Sequence, residues 1–163
     1  MMRYRGSSSK VIIAMTYVNG FLDDRQSSFV DHYSKSQFMC KYADVPLGTI
    51  VNEASLHTAI REVEILDWTP WNRCYSKAIA VAKGDGKIRL NRFKLNRDVS
   101  SIVNTLIHEL VHVVDHHEEW SAGHNGNSPL GKGRTAPYLI GELAEIFYKT
   151  GRLLSDEEID YEF

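Results

Sequence analysis

From Val99 to about His117, apolar residues fall at positions 102, 103, 106, 107, 110, 111, 113 and 114. On a helix of 3.6 residues per turn they cover most of the circumference, so the segment predicts a helix packed on several sides. Asp98 or Ser100 can cap its start. His108, Glu109 and His112 break the apolar pattern in mid-helix. Ionisable groups are costly to bury without a purpose. The four-residue spacing of the histidines places both imidazoles on one face, with β-carbons about 6 Å apart. Two ring nitrogens can then converge on one ion at about 2.0–2.1 Å. Glu109 is offset by about 100° around the axis, near the rim of that face. It can accept a proton from a water on such an ion without displacing it.

The rest of the chain suggests a small mixed domain. Residues 1–10 read as a flexible leader and residues 11–163 as one domain, since 163 residues leave little room for a second. Leu56, Ile60, Val63 and Leu66 recur at helical spacing, which predicts a helix from Glu53 to Leu66 ending before Trp68-Thr69-Pro70-Trp71. Residues 78–82 and 88–91 flank Gly84-Asp85-Gly86 as a predicted hairpin. Residues 118–136 read as loop. Pro137 can open a last long helix that stops at Gly151, and Ser155 with Glu158 has the spacing of a capping box for a short acidic tail helix.

The stretch Thr105-Leu106-Ile107-His108-Glu109-Leu110-Val111-His112-Val113-Val114-Asp115 resembles the active-site helix of the zincin metallopeptidases. The resemblance covers about residues 88–147; the first half of the chain resembles no family we can name. It implies an α+β fold, a minimal zincin-like domain in which a small twisted sheet carries an active-site helix and a backing helix. It also implies zinc as cofactor, His108 and His112 as ligands, and Glu109 as general base in peptide-bond hydrolysis. The strand Ile88-Arg89-Leu90-Asn91 would be the edge that receives extended substrate by strand addition.

A catalytic zinc usually has three protein ligands. His116 lies about 12 Å along the axis from His108 and cannot share its ion on a straight helix. The metzincin pattern is absent, because Glu118 stands where its third histidine would be. Two candidates remain. His124, in Gly123-His124-Asn125-Gly126, is similar to the later Gly-His of SprT-like enzymes. Glu142, on the last long helix, is similar to the glutamate ligand of gluzincins. His124 is the expected ligand and Glu142 the alternative; Glu142 or Asp115 could otherwise orient a liganding imidazole. Tyr138, or else Arg134, could donate to a developing oxyanion. Asn91 could bind substrate backbone or cap a turn.

Bulk properties narrow the partners. A net charge of -2 argues against nucleic acid as a partner, and no run approaches the length of a membrane span. Gly131-Lys132-Gly133 lacks the spacing of a phosphate loop. Cys40 and Cys74 read as two unpaired thiols. The expected substrate is a protein or peptide. The expected location is cytoplasmic, or exported without a recognisable signal peptide. Two other readings compete: a toxin or effector metallopeptidase delivered into another cell, and a non-catalytic binding module stabilised by zinc.

Overall fold

The computed structural model describes residues 2–23, 27–60, 63–67, 78–83, 86–118 and 133–163. The chain begins with strand β1 (Met2–Arg5), followed by helices α1 (Ser9–Asp23), α2 (Ser28–Tyr33) and α3 (Leu47–Ile60). Strands β2 (Val63–Asp67), β3 (Ala80–Lys83) and β4 (Lys87–Leu90) follow, then a 3-10 turn (Arg92–Lys94). Helices α4 (Val99–Glu118), α5 (Ala136–Thr150) and α6 (Asp156–Glu162) complete the fold. The architecture is α+β, as the sequence predicts. No helix among the described residues is long and apolar enough to cross a membrane.

The sheet has the order β1-β2-β4-β3. β1, β2 and β4 are parallel, and β3 runs antiparallel to β4 on the outside. This corrects three expectations. Residues 2–5 are not a leader: β1 pairs with β2, Met2 is buried, and Asn19 brackets the Met2 backbone through hydrogen bonds to its N–H and C=O. The helix expected over residues 53–66 instead starts at Leu47, ends at Ile60 and gives way to β2. Residues 88–91 are not the edge of the sheet, because β4 lies between β2 and β3; among the described residues the edge on that side is β3. The predicted break at Trp68–Trp71, the centre of the hairpin turn, Cys74 and most of the expected loop lie outside the described residues.

The helices bury the faces their spacing dictates. α1 turns Val11, Ala14, Val18 and Leu22 inward, and α3 turns in Leu47, Ile50, Val51 and Ala54. Phe21, Phe29 and Phe147 join α1, α2 and α5 in one aromatic cluster, with ring centroids 5.1–5.9 Å apart. α5 opens with Pro137 in its first turn and closes on Gly151 at φ 69°, a left-handed cap that glycine adopts without strain. α6 has the full capping box between Ser155 and Glu158. It is more than a solvated tail. Ile159 is fully buried, and the Asp156 carboxylate accepts from the Ser36 hydroxyl and the Gln37 N–H.

Candidate active site

α4 is enclosed by other elements on three sides, and its fourth side carries the candidate chemistry. α5 packs along one flank, running antiparallel. Glu145 accepts from Ser100 and Asn104, Gly141 lies against Asn104, and the Tyr138 ring meets His108. On the other flank Glu109 reaches the sheet edge at Ala82. The residues facing α1, α3 and the sheet are buried, among them Ile102, Val103, Leu106, Leu110, Val113 and Val114. Ser101, Thr105, His108, His112 and Asp115 are only half-buried. They form one stripe along α4 between α5 and β3, the side that no other described element covers.

His108 and His112 stand side by side on this stripe, with ring centroids 5.0 Å apart and planes at 72°. The sequence pattern places both rings on one face of α4, and the structure has them there. Tyr138 comes from the first turn of α5 and sets its ring edge-on to His108, with centroids 4.5 Å apart. The structure therefore gathers Tyr138 with the two histidines.

Glu109 is buried, 7% exposed, on the sheet side of the stripe. Its Oε2 accepts the backbone N–H of Ala82 at 2.6 Å. Ala82 faces Ile88 across the ladder, and the neighbouring pair Val81–Arg89 is in the alternate position. Asn91 donates its N–H to Ile79 at 2.8 Å, which sets the alternation of bonded and non-bonded pairs. The N–H of Ala82 thus points away from β4, where Glu109 takes it. Burial pushes the Glu109 carboxyl up to about 7, against the opposing pull of the Ala82 N–H.

Other predicted residues separate into those near the stripe and those held elsewhere. Glu142 projects from the exposed flank of α5 one turn beyond Tyr138. Partial desolvation, together with the charge of Glu145, holds its carboxyl above the usual range. Among the described residues, no three His, Cys, Asp or Glu side chains stand close enough to hold one ion, so Glu142 does not join the two histidines in such a group. His124, the expected third ligand, lies outside the described residues. His116 is exposed farther along α4. Arg134 is engaged away from the stripe, bonded to the carboxylate of Asp160 at 2.9 Å and to its carbonyl at 2.7 Å. Asn91 is buried and works as a cap: its Oδ1 accepts from the Phe93 N–H and its amide donates to the Ala78 carbonyl.

Two groups at the site escape a motif reading. The Ala82 N–H is a backbone group, visible only once the strands are paired. Arg97 precedes α4, yet its guanidinium lies on the stripe, where Nη2 donates to the Ser101 carbonyl and to the Thr105 hydroxyl. The signal was present as the spacing 97, 101, 105, 108, 112, one helical row continued past the helix start. Compared with protein-family models, curated proteins and solved structures, the chain matches none.

Proposed function

We propose that the protein is a zinc metallopeptidase that hydrolyses peptide bonds of a protein or peptide substrate. The observation that carries this reading is the half-buried stripe of α4, which sets two adjacent imidazoles beside a buried carboxylate. His108 and His112 would hold the zinc through their ring nitrogens, with His124 as the third ligand; Glu142, the alternative, would have to move towards the two histidines from where it stands. When bound, the zinc supplies Lewis acidity and lowers the pKa of water. Glu109, fixed by the Ala82 N–H, takes the proton of the attacking water and returns it to the leaving amine. Tyr138 donates its hydroxyl to the oxyanion that develops on the scissile carbonyl. The outer edge of β3 lies beside Glu109; the Ala82 N–H is taken by Glu109, and the Ala80 N–H and C=O with the Ala82 C=O are the outward groups that would receive an extended peptide added as a further strand. This moves the substrate edge from residues 88–91 to residues 80–83.

The test combines metal content with turnover. Wild-type protein should take up zinc and cleave unstructured peptides. Glu109→Gln should keep its zinc and lose cleavage by a factor of about 100 or more. His124→Ala should lower zinc content sharply; full occupancy in that variant would move the third ligand to Glu142. If Glu109→Gln cleaves as well as wild type, peptide hydrolysis at this site is rejected. If wild type binds zinc but cleaves nothing, and Glu109→Gln leaves its biological activity unchanged, the protein is a zinc-stabilised binding module.

A further inference from the structure

We propose that the outer face of the sheet docks the protein reversibly on an anionic lipid bilayer, as a surface contact and not a span. This role is independent of the chemistry on α4.

Charge is spread unevenly along the chain, behind a net charge of -2. Residues 1–10 and 87–97 hold eight of the 19 Lys and Arg and no Asp or Glu. The rest of the chain is left with 11 basic against 21 acidic residues. The fold brings the two basic segments together. β1 and β4 flank β2 in one parallel ladder, where Arg3 stands level with Lys87 across Glu64, and Arg5 with Arg89 across Leu66. The Lys10 ammonium donates to the Arg97 carbonyl at 2.7 Å, which ties the start of α1 to the segment before α4.

Strand alternation assigns the faces. Met2, Ile88 and Leu90 are buried on the side of the helices, where α1 packs on β1 and α4 on β3 and β4. Arg3, Arg5, Lys87 and Arg89 therefore share the opposite face, the first two exposed and the last two half-exposed. Two strand spacings set the columns about 9.6 Å apart, and two residues along a strand set the rows about 6.6 Å apart. Neither side of this rectangle exceeds the Debye length of about 10 Å at 0.1 M salt, so the four potentials add. These side chains have local partners as well, but a charged plane acts on the net charge near it and needs no vacant donor. β4 leads into the turn Arg92–Lys94, where Arg92 and Lys94 are exposed on either side of Phe93, itself 58% exposed.

The arrangement favours a bilayer over a nucleic acid. Four short strands present their cations in one gently twisted plane, which matches a layer of headgroups. Single-stranded nucleic acid is held on stacked aromatic rings as well as by cations. Among the described residues, the outward positions of β1 and β4 carry no aromatic ring. A cluster of about four to eight Lys and Arg beside a membrane selects anionic lipid. Basic attraction alone is weak and reversible, and an apolar group that enters the interface adds to it. Phe93, between two cations at the rim of the sheet, supplies that group. The acidic remainder of the chain is repelled by the same surface, which orients the molecule with this face inward.

The test is co-sedimentation of the whole protein with vesicles of phosphatidylcholine, alone or with about 30 mol% phosphatidylserine. Wild type should bind the anionic vesicles and not the neutral ones at about 0.1 M salt, and should be released at about 0.5 M. Arg5→Gln/Arg89→Gln should lower the partition coefficient by about five- to sixfold for each cation, or about 30-fold together. Arg92→Gln/Lys94→Gln, on the exposed turn, should act in the same way and keeps the test decisive if the strand variant folds poorly. Phe93→Ser should lower partition by about tenfold and leave its salt dependence unchanged. Lys35→Gln/Lys41→Gln removes the same charge from exposed residues on and after α2, and should change partition by less than about twofold.

A loss in that control equal to the loss in the two basic-face variants makes binding a matter of net charge and overturns the proposal. So does a wild type that ignores anionic vesicles. Labelled single-stranded and duplex oligonucleotides are followed in parallel by fluorescence anisotropy. Binding to these that depends on Arg5 and Arg89, with no binding to vesicles, assigns the face to nucleic acid and also overturns the proposal.

Discussion

At the scale of single residues, the ring of Tyr138 and its hydroxyl have separable roles. The ring packs edge-on against His108, and a phenylalanine would keep that contact. The hydroxyl is the only part that could donate to an oxyanion. Tyr138→Phe should therefore leave zinc content and KM near wild type and lower kcat by about 100-fold, the scale seen when one oxyanion donor is removed. Tyr138→Ala should also weaken zinc binding, because His108 loses the surface that orients it. Unchanged kcat in Tyr138→Phe would reduce Tyr138 to packing. Much of the candidate site is visible in sequence because its residues share one helix. A spacing of four fixes the neighbourhood of His108 and His112 without any tertiary information, whereas Tyr138 stands on α5 and reaches His108 only through the packing of the two helices. Arg97 and the Ala82 N–H do not follow in this way. The first stands outside the helix whose face it serves, and the second depends on which strand forms the sheet edge.

At the scale of elements, the distance between α4 and α5 is set at Gly141. A Cβ added there would stand 2.6 Å from Asn104 Oδ1 and 3.0 Å from the Asn104 carbonyl oxygen. Alanine is the better helix former by about 1 kcal/mol, but overlap with the backbone of α4 forces the helices apart and typically costs about 1–3 kcal/mol. Gly141→Ala should be destabilising on balance, in urea unfolding. Gly20→Ala in α1 is the matched control, since nothing lies within 4 Å of its added Cβ and the position is exposed. It should stabilise by about 0.5–1 kcal/mol. Equal effects at the two sites would mean that Gly141 is not a spacer. The helices α4, α5 and α6 can be located from sequence because their signals are local: periodicity, Pro137, Gly151 and the Ser155–Glu158 box. The boundary between α3 and β2 cannot. Leu56, Ile60, Val63 and Leu66 continue helical spacing across it, while the strand is chosen by parallel pairing of β2 with β1 and β4. β1 is hidden for the same reason, since its four residues gain their structure from a partner about sixty positions away.

At the scale of the whole molecule, the chain ends support the site from behind. α1, α2 and α5 share the aromatic cluster that backs α4, and α6 locks onto α2 through the segment Leu154–Asp156. Tyr33 sits at that junction, 1% exposed, and its hydroxyl accepts the Leu154 N–H at 3.0 Å. Burial pushes its phenol up to about 12 from 10.0, against the opposing pull of that N–H. Below pH 10 the phenol is protonated in both the folded and the unfolded chain, so its contribution to stability is level. Between pH 10 and 12 the unfolded chain gives up the proton first, and stability falls as pH rises through that window. At about 1.4 kcal/mol per pKa unit, Tyr33 alone should remove about 1 kcal/mol by pH 11 and about 2 kcal/mol by pH 12. Tyr33→Phe has no such titration, but it leaves a buried Leu154 N–H without its partner, which costs about 1–3 kcal/mol. Wild type should therefore be the more stable protein at pH 8, and its advantage should shrink above pH 10 and close at about pH 11–12. Cys40, whose buried thiol is also pushed up to about 12, titrates in both proteins and cancels from their difference. Chemical unfolding of the pair at intervals from pH 8 to pH 12 measures the gap directly. Curves that stay parallel across the window would show that the Tyr33 phenol ionises as readily in the folded molecule as in the unfolded one.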